Sequence, residues 1–231
     1  MLWLLFLSCI MGYQEEGNLT TLSIERTHAT HHYNYSKALE SSLKIICFNG
    51  QFENVGHGSG NYFKSGKYKF ILTAAHVIDH KYESYIADGE ELVGLIPIHV
   101  DRSRDLAILV PMRDLWNIEA QWYRVNRSND LIGKTIYYAG FPQDLGKSLF
   151  KGFVAKDGKD KILIQSFALP GSSGSVVFDF WGRAIGVLSA VSVGISSVNP
   201  FPELVETAVH IQKIKDYDHD FIKGLFESVK K

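Results

Sequence analysis

The feature that most constrains the fold is a long succession of short apolar segments, each separated from the next by turn residues. The first members of the series are residues 43–48, 68–74, 91–100 and 106–110. Gly56, Gly58 and Gly60 mark the turn region that follows the first of them. Short apolar runs bounded by turn residues predict strands, and this spacing is typical of sheets that close into a barrel. We therefore predict an all-β chain.

A second set of strand-like segments follows residues 112–127, which we predict to link two barrels. Its members are residues 135–139, 149–155, 161–167, 175–179 and 184–192, with a hairpin turn predicted at residues 180–183. The pattern breaks at residues 200–203. Beyond that break, residues 205–229 are predicted to form one or two terminal helices with their apolar stripe facing the core.

The composition bounds the class of protein. The chain has 231 residues, of which 45% are hydrophobic and 21% are charged, and this length suits one two-barrel unit. The net charge of −1 gives no general attraction to nucleic acid or to anionic lipid, so neither is expected as a partner. Cys9 and Cys47 form neither a disulfide framework nor a metal-ligand pattern, and we expect no cofactor. Cys47 lies in an apolar segment and is predicted to be a small core residue.

Residues 1–12 form an apolar leader, and residues 13–41 form a polar tail. The leader is too short to span a membrane. It resembles the core of a signal peptide cleaved near residues 8–12, although no Lys or Arg precedes the apolar run. Export, lipid attachment at Cys9 and an unprocessed terminus stay open as alternatives. We expect a secreted or extracytoplasmic protein, with a cytoplasmic or virion-associated one as the alternative.

Three residues stand in settings suited to nucleophilic catalysis, in the chain order His76, Asp105, Ser173. A serine hydroxyl needs a base to take its proton as it attacks a carbonyl. Histidine suits that role because its unperturbed pKa is about 6.5. A carboxylate on the far ring nitrogen holds the right tautomer and stabilises the imidazolium that forms. We predict Ser173 as the nucleophile, His76 as the general acid and base, and Asp105 as the orienting carboxylate.

The turn that contains Ser173 is also suited to stabilising the oxygen that becomes negative during the attack. Backbone N–H groups must converge on that oxygen. Glycine adopts backbone conformations that other residues avoid, and it lets a substrate approach closely. Pro170 restricts φ at the entry to the turn and has no N–H of its own. We predict the N–H groups of Gly171 and Ser173 as the oxyanion-hole donors.

Together these segments resemble the trypsin-like (chymotrypsin-fold) serine peptidases. Within that superfamily they are most similar to the bacterial HtrA/DegP-type and glutamyl-endopeptidase-like branches and to related viral enzymes. The matching signatures are Thr-Ala-Ala-His at residues 73–76, Asp-Leu-Ala-Ile-Leu at 105–109 and Gly-Ser-Ser-Gly at 171–174. Residues 58–60 and 139–142 also resemble family segments. The resemblance covers residues 43–218, most of the chain.

The resemblance implies two six-stranded antiparallel Greek-key barrels followed by a C-terminal helix. The predicted boundaries are residues 42–118 for the first barrel, 119–202 for the second and 203–231 for the C-terminal helical segment. It also implies a serine endopeptidase that cleaves a protein or peptide substrate through an acyl-enzyme. A catalytically inactive trypsin-like fold that binds peptides is the alternative.

The resemblance places the primary specificity pocket at Phe167, six residues before the nucleophile, and on a strand that contains Ser189, Ala190 and Val191. None of these side chains is a carboxylate that would pair with Lys or Arg. Because an unpaired buried cation is costly, we expect a small or apolar residue on the acyl side of the cut bond. Plain core packing is the alternative role of Phe167.

The chain departs from the family pattern beside the nucleophile. Ser172 stands where trypsin has the aspartate that pairs with a new N-terminus after cleavage, so we expect no activation by that ion pair. Ser175 and Val176 stand where glycine and proline are usual. These two positions leave the geometry of the turn open, and with it the inactive alternative.

Overall fold

The computed structural model describes residues 36–78, 82–143, 145–196 and 203–229. The predicted leader, Cys9 and the tail up to residue 35 lie outside the described residues. Residues 36–41 are helical, a short turn of 3-10 helix covers Ala75–Val77, and a C-terminal helix covers His219–Val229. The strands are β1 (Ser42–Phe48), β2 (Asn54–Ser65), β3 (Tyr68–Thr73), β4 (Glu83–Asp88), β5 (Glu91–Asp101), β6 (Leu106–Pro111), β7 (Gln121–Trp122), β8 (Thr135–Gly140), β9 (Ser148–Asp157), β10 (Lys161–Gln165), β11 (Val176–Asp179), β12 (Ala184–Ser196) and β13 (Glu203–Lys213).

The strands form two closed antiparallel barrels of six strands each, as predicted. In the first barrel the neighbours run β1-β4-β5-β6-β3-β2, and β1 pairs with β2 to close the ring. In the second they run β10-β13-β12-β11-β8-β9. Numbered from the first strand of each ring, both barrels have the order 1-2-3-6-5-4. Closure gives each strand of a ring a neighbour on both sides, and β12 pairs with β11 only over residues 184–187.

Alternation of side chains explains why each barrel has a filled interior. In β10, Ile162 and Ile164 are buried while the flanking Lys161 and Gln165 are exposed. Successive residues of a strand point to opposite faces, so such a segment places one face in the core and the other in solvent. The interior of the first barrel includes Leu43, Ile45, Tyr62, Ile71, Ile86, Val93 and Leu109. The interior of the second includes Leu131, Ile136, Tyr138, Val154, Ile162, Ile164, Val177, Leu188, Val209 and Ile211.

A third apolar cluster lies where the barrels meet the C-terminal helix. It joins Phe63 and Phe70 of the first barrel to Phe178 of the second and to Ile222 of the helix. Ile222 is fully buried, which confirms the prediction that the helix turns an apolar stripe toward the core. Both barrels and the helix contribute side chains to this one cluster. The two barrels are therefore packed against each other through it.

The linker between the barrels is bound to both of them. Strand β7 pairs in parallel with β2, and the N–H of Tyr123 donates to the carbonyl of Lys64 at 2.9 Å. On the other side, the N–H of Asn126 donates to the carbonyl of Ala184 at 2.8 Å. The predicted link at residues 112–127 is therefore part of the packed structure.

The prediction of helix from residue 205 onward is wrong for residues 205–213, which belong to strand β13. Val209 and Ile211 alternate with His210 and Gln212, and the two aliphatic side chains fill the interior of the second barrel. Residues 209 and 211 are spaced as on one face of a strand, whereas 211 and 214 are spaced as on one face of a helix, so this short apolar pattern does not decide between the two. The second barrel consequently extends to Lys213, beyond the predicted boundary at residue 202, and the helix begins at His219.

Two smaller findings complete the fold. Cys47 is buried, with its Sγ 3.1 Å from the carbonyl of Val77, which confirms it as a small core residue. In the part of the chain that the structure describes, neither helix combines the length and the apolar character needed to cross a lipid bilayer.

Candidate active site

His76 is presented at the rim of the first barrel by a buried strand and a tight turn. Strand β3 is buried over its last four residues, and the 3-10 turn begins directly after it with Ala75. Gly58 lets this turn pack against β2, because a Cβ at that position would lie 2.6 Å from Cγ1 of Val77. The His76 side chain is 47% exposed and therefore accessible to solvent.

Asp105 binds both the ring and the backbone of His76. Its Oδ2 lies 2.8 Å from Nδ1 of His76, and its Oδ1 accepts the backbone N–H of His76 at 2.9 Å. Because a carboxylate can only accept, Nδ1 carries the ring proton, and Nε2 of the neutral ring is left as an acceptor. Asp105 adopts a left-handed backbone conformation, with φ of +55°, just before β6 begins. Strain of this kind is often retained where it aims a functional side chain.

Ser189 on β12 provides a further hydrogen bond to the same carboxylate. Its Oγ donates to Oδ2 of Asp105 at 2.5 Å. Burial tends to raise the pKa of Asp105, but the hydrogen bonds from His76 and Ser189 outweigh it, so the pKa lies below its ordinary value. Asp105 is therefore held in the ionised form that orients His76. Ser189 was predicted only as a substrate-binding residue, and its contact joins the second barrel to the His76–Asp105 pair.

The turn around Ser173 is held in part by backbone hydrogen bonds. Gly171 and Gly174 have φ of +92° and +89°, a conformation that strongly favours glycine. The N–H of Ser172 donates to Leu169 at 3.0 Å, and that of Gly174 donates to Leu188 at 2.8 Å. Val176, where proline is usual in the family, donates its N–H to Asn61 Oδ1 at 2.8 Å. Val176 is thus accommodated within the turn, whereas the buried hydroxyl of Ser175 has no hydrogen-bond partner among the described residues.

The two predicted oxyanion-hole donors differ from their neighbours in this turn. In the described part of the chain, the N–H groups of Gly171 and Ser173 have no acceptor, whereas those of Ser172, Gly174 and Ser175 each donate to a carbonyl. Unpaired backbone N–H groups are rare away from solvent and costly when buried. Backbone N–H groups without a protein acceptor are the kind of donor that binds a negatively charged oxygen.

The turn that contains Ser173 also packs directly against the strands that lead to His76. The N–H of Ser59 on β2 donates to the carbonyl of Ser173 at 2.8 Å. A Cβ on Gly174 would lie 2.0 Å from the carbonyl oxygen of Ser59 and 2.2 Å from Oγ1 of Thr73. Thr73 is the last residue of β3, three residues before His76. The turn of the second barrel therefore sits against the end of the strand that carries the histidine.

Within the described residues, the hydroxyl of Ser173 forms no hydrogen bond, so it is not joined to Nε2 of His76 in this structure. The structure brings His76, Asp105 and Ser189 into direct contact and places the Ser173 turn beside them. Hydrogen bonds between a nucleophile and its base are often long in unliganded sites and shorten when substrate binds.

The residues predicted to bind substrate lie at the surface of the second barrel. Phe167 is 58% exposed, so the alternative that it is a core residue is wrong. Its ring is 6.1 Å from that of Phe150, which stacks on Tyr138. On β12, Ala190 is exposed and Val191 packs partly against the interior of the barrel. Ser189 faces Asp105 as described above.

Sequence reasoning missed the side chains that anchor the nucleophile turn, above all Ser59 and Thr73. The hydroxyl of Thr73 donates to the carbonyl of Ser59 at 2.6 Å, and that of Ser59 donates to the carbonyl of Gly171 at 2.7 Å. The signal for Ser59 was its position between two glycines ahead of the histidine strand. Nothing in the sequence pairs it with residue 171, which is 112 positions away.

A sequence profile of the trypsin-like peptidase domain matches residues 58–187, which is more than half of the chain. This chain belongs to the trypsin-like peptidase family. The matched segment contains all three residues of the predicted triad and ends two residues before Ser189. Within the described part of this trypsin-like chain, His, Cys, Asp and Glu side chains do not gather into a cluster of metal-ligand type.

Two solved structures share the fold of this trypsin-like domain. A serine endoprotease from Yersinia pestis superposes with a TM-score of 0.62 at 18% identity, over 85% of this chain and 66% of its own. The HtrA-type protease AlgW, solved with a tripeptide, superposes with a TM-score of 0.62 at 21% identity, over 80% of this chain and 60% of its own. This chain thus spans less than two thirds of the length of either neighbour. None of the curated proteins matches its sequence.

Proposed function

We propose that this protein is a serine endopeptidase that uses Ser173 as the nucleophile, His76 as the general acid and base, and Asp105 as the orienting carboxylate. The observation that carries the proposal is the bond between Asp105 and Nδ1 of His76. That bond leaves Nε2 as the acceptor on the accessible edge of the ring. The unpaired N–H groups of Gly171 and Ser173 support the same reading, because they suit a developing oxyanion.

The reaction proceeds in two halves through an acyl-enzyme. Ser173 Oγ attacks the carbonyl carbon of the peptide bond as its proton passes to Nε2 of His76, and the carbonyl oxygen becomes an oxyanion bound by the N–H groups of Gly171 and Ser173. The tetrahedral intermediate collapses, the C–N bond breaks, and His76 gives the proton to the leaving amine. Water, activated by His76, then attacks the ester, and the proton returns to Ser173 as the acid is released.

The substrate we propose is a peptide with a small or apolar residue on the acyl side of the cut bond. Phe167, Ser189, Ala190 and Val191 carry no charge, and an Arg or Lys side chain bound against them would lose solvation without gaining a partner. Exposed Ala190 on β12 also suits pairing of an extended substrate with that strand. A peptide-library cleavage profile measures this preference, and strong selection for Arg or Lys would refute the pocket assignment.

The proposed function is tested by labelling the native protein with an alkyl fluorophosphonate. We expect one phosphonyl group on Ser173, located by peptide mass spectrometry, and no labelling of Ser173→Ala. Labelling that survives in Ser173→Ala would reject this nucleophile. A folded wild-type chain that does not label at all would favour the alternative, a trypsin-like fold that binds peptides without cleaving them.

The labelling rate is also expected to depend on pH. A general base accepts a proton only in its unprotonated form, so the rate should fall toward acid pH. The rate constant measured between pH 5 and pH 8 provides the test. A rate that stays flat over this range would count against a histidine base.

A further inference from the structure

Two side chains of strand β2, His57 and Ser59, reach from the first barrel to the backbone on either side of the oxyanion-hole turn. The hydroxyl of Ser59 donates to the carbonyl of Gly171 at 2.7 Å and accepts the N–H of Phe141 at 2.9 Å. Ser59 is fully buried, so both of its bonds are shielded from water. It therefore ties the nucleophile turn to residue 141, which lies in the loop after β8.

His57 binds the other polar group of the Phe141 backbone. Its Nε2 lies 3.0 Å from the carbonyl oxygen of Phe141. Because a carbonyl can only accept, Nε2 of His57 carries the proton and donates. His57 also adjoins the turn itself, since a Cβ on Gly171 would lie 2.6 Å from Nε2. The N–H and C=O of Phe141 are thus both fixed by side chains of β2.

The loop that β2 holds in this way determines the direction of the Gly171 N–H. Two residues after Phe141, the N–H of Gln143 donates to the carbonyl of Pro170 at 2.8 Å. That carbonyl and the N–H of Gly171 belong to the same peptide group, which is planar and trans, so they point in opposite directions. Gln143 has φ of +45°, a conformation that a non-glycine residue adopts only when its surroundings hold it there.

We propose that His57 and Ser59 are positioning residues for the oxyanion hole. They hold residues 141–143 so that Gln143 anchors the Pro170 carbonyl and the N–H of Gly171 stays directed at the reacting oxygen. This inference rests on the proposed serine-peptidase function. In this proposal the first barrel carries the general base and also holds the oxyanion hole of the second barrel in place.

The test is a comparison of His57→Leu with His57→Gln. The leucine removes the donor to Phe141, whereas the terminal amide of glutamine places an N–H near the position of Nε2. With an alkyl fluorophosphonate as the probe, we expect His57→Leu to lower the maximal rate of Ser173 labelling by about 10-fold. That is less than the ~100-fold or larger loss on deleting a donor outright, because Gln143 still contacts Pro170. The half-saturating probe concentration should stay within about twofold, since the interaction grows only in the transition state.

His57→Gln should recover most of the maximal rate, and His219→Leu should match the wild type. His219 is a matched control, because its ring also makes a side-chain hydrogen bond, at 2.7 Å to Ser65, but at the start of the C-terminal helix. Urea unfolding of each variant shows whether the fold is kept. Ser59→Ala is a second test variant. We expect it to lower the maximal rate further, because it leaves both the carbonyl of Gly171 and the N–H of Phe141 without their hydrogen bond to Ser59.

The outcomes separate this inference from the function on which it rests. A lowered maximal rate in His57→Leu that is restored in His57→Gln, with an unchanged unfolding midpoint, supports it. Wild-type labelling at Ser173 combined with an unchanged maximal rate in His57→Leu overturns the inference and leaves the proposed function standing. Equal losses in the leucine and glutamine variants, or a change confined to the half-saturating concentration, also overturn it. Wild-type protein that does not label overturns both.

Discussion

The two barrels contribute to one site by different physical means. The first barrel supplies His76 and Asp105, which are fixed by hydrogen bonds between side chains and to the His76 backbone. The second barrel supplies Ser173, whose turn depends on backbone conformation, with glycines at φ of +92° and +89° on either side. The half in the first barrel is thus sensitive to the loss of a polar atom. The half in the second barrel is sensitive to a side-chain atom added at Gly171 or Gly174.

This difference reflects what each half has to do. A general base must be held in one tautomer and must remain free at its outer nitrogen, which a carboxylate partner achieves. An oxyanion site must present backbone N–H groups, so its geometry depends on the conformation of the chain and on the contacts that hold that conformation.

The largest effect is expected for Gly174→Ala, which adds one methyl group to the second-barrel half. The new Cβ would lie 2.0 Å from the Ser59 carbonyl oxygen and 2.2 Å from Thr73 Oγ1, with φ at an unfavourable +89°. Neither contact is with the end of a flexible side chain that can move aside. We expect a loss of about 3 kcal/mol or more in the free energy of unfolding and no detectable labelling of Ser173. Urea unfolding and fluorophosphonate labelling measure the two effects.

Gly133→Ala is the matched control for that change. Gly133 has a similar φ of +75°, but no atom lies within 4 Å of the position a Cβ would take. The strain alone should lower the free energy of unfolding by about 1 kcal/mol and leave the labelling rate unchanged. Equal losses of stability in the two variants would show that crowding against Ser59 and Thr73 is not what constrains the turn.

Asp105→Asn breaks the first-barrel half without adding or removing a heavy atom. The amide cannot accept in the way a carboxylate does and favours the wrong ring tautomer of His76, so we expect a fall of about 10³- to 10⁴-fold in the labelling rate at pH 7. The fold should persist, in contrast to Gly174→Ala. Circular dichroism measures whether the fold is kept. A loss of folded protein in Asp105→Asn as large as that in Gly174→Ala would contradict the difference proposed between the two halves.

The same carboxyl group makes a prediction about stability and pH. The folded pKa of Asp105 lies below the ordinary 3.8, so its contribution to stability is fully present above about pH 3.8 and is lost as the pH falls through the lower, folded value. The decline of the urea midpoint between pH 5 and pH 2 should therefore be shallower in Asp105→Asn than in the wild type. Identical acid-side slopes would contradict the hydrogen bonding assigned to Asp105.

A smaller effect is expected for Ser189→Ala, which removes the link from β12 to Asp105. Deleting this hydroxyl takes away a bond that favours the ionised carboxylate. The pKa of Asp105 should rise toward its ordinary value, and the labelling rate should fall by about 10-fold, since the bonds to His76 remain. Ser192→Ala, a further serine on the same strand, is the matched control. A rate as low as that of Asp105→Asn would mean that Ser189, rather than His76, orients the carboxylate.

The smallest effect, and the one with the opposite sign, is expected for Gly224→Ala in the C-terminal helix. No atom lies within 4 Å of the position its Cβ would take, and its backbone is helical. We expect the free energy of unfolding to rise by about 0.5–1 kcal/mol, because alanine is the better helix former. The labelling rate should not change. Thermal unfolding of the variant checks this. A destabilised protein would contradict the open space found around a Cβ at this position.

Much of the fold and the site could be predicted from the sequence because both rest on local patterns. Short apolar runs bounded by turn residues predicted most of the strands. The settings of His76 and Asp105 predicted two residues that lie in hydrogen-bond contact, whereas the role of Ser173 stays a prediction. The pattern failed at residues 205–213, because Val209 and Ile211 are spaced as in a strand while Ile211 and Ile214 are spaced as on one face of a helix. Only the pairing of β13 with β10 and β12 decides between them.

The contacts that could not be predicted are the ones that span the longest distances along the chain. Ser59 meets Gly171 across 112 residues, and Ser189 meets Asp105 across 84. Such contacts follow from how two closed barrels are placed against each other, and no local spacing encodes that placement. A small polar residue between glycines, such as Ser59, gives at most a hint that a backbone approaches closely there.

The most direct test of the whole account is a crystal structure of the protein after reaction with an alkyl fluorophosphonate. The adduct fixes a tetrahedral phosphorus on the nucleophile. We predict it on Ser173 Oγ, with one phosphoryl oxygen within about 3 Å of the N–H groups of both Gly171 and Ser173, and with Nε2 of His76 facing Oγ. An adduct on another residue, or one whose oxygen points away from both N–H groups, would contradict the claim that the two barrels jointly build this site.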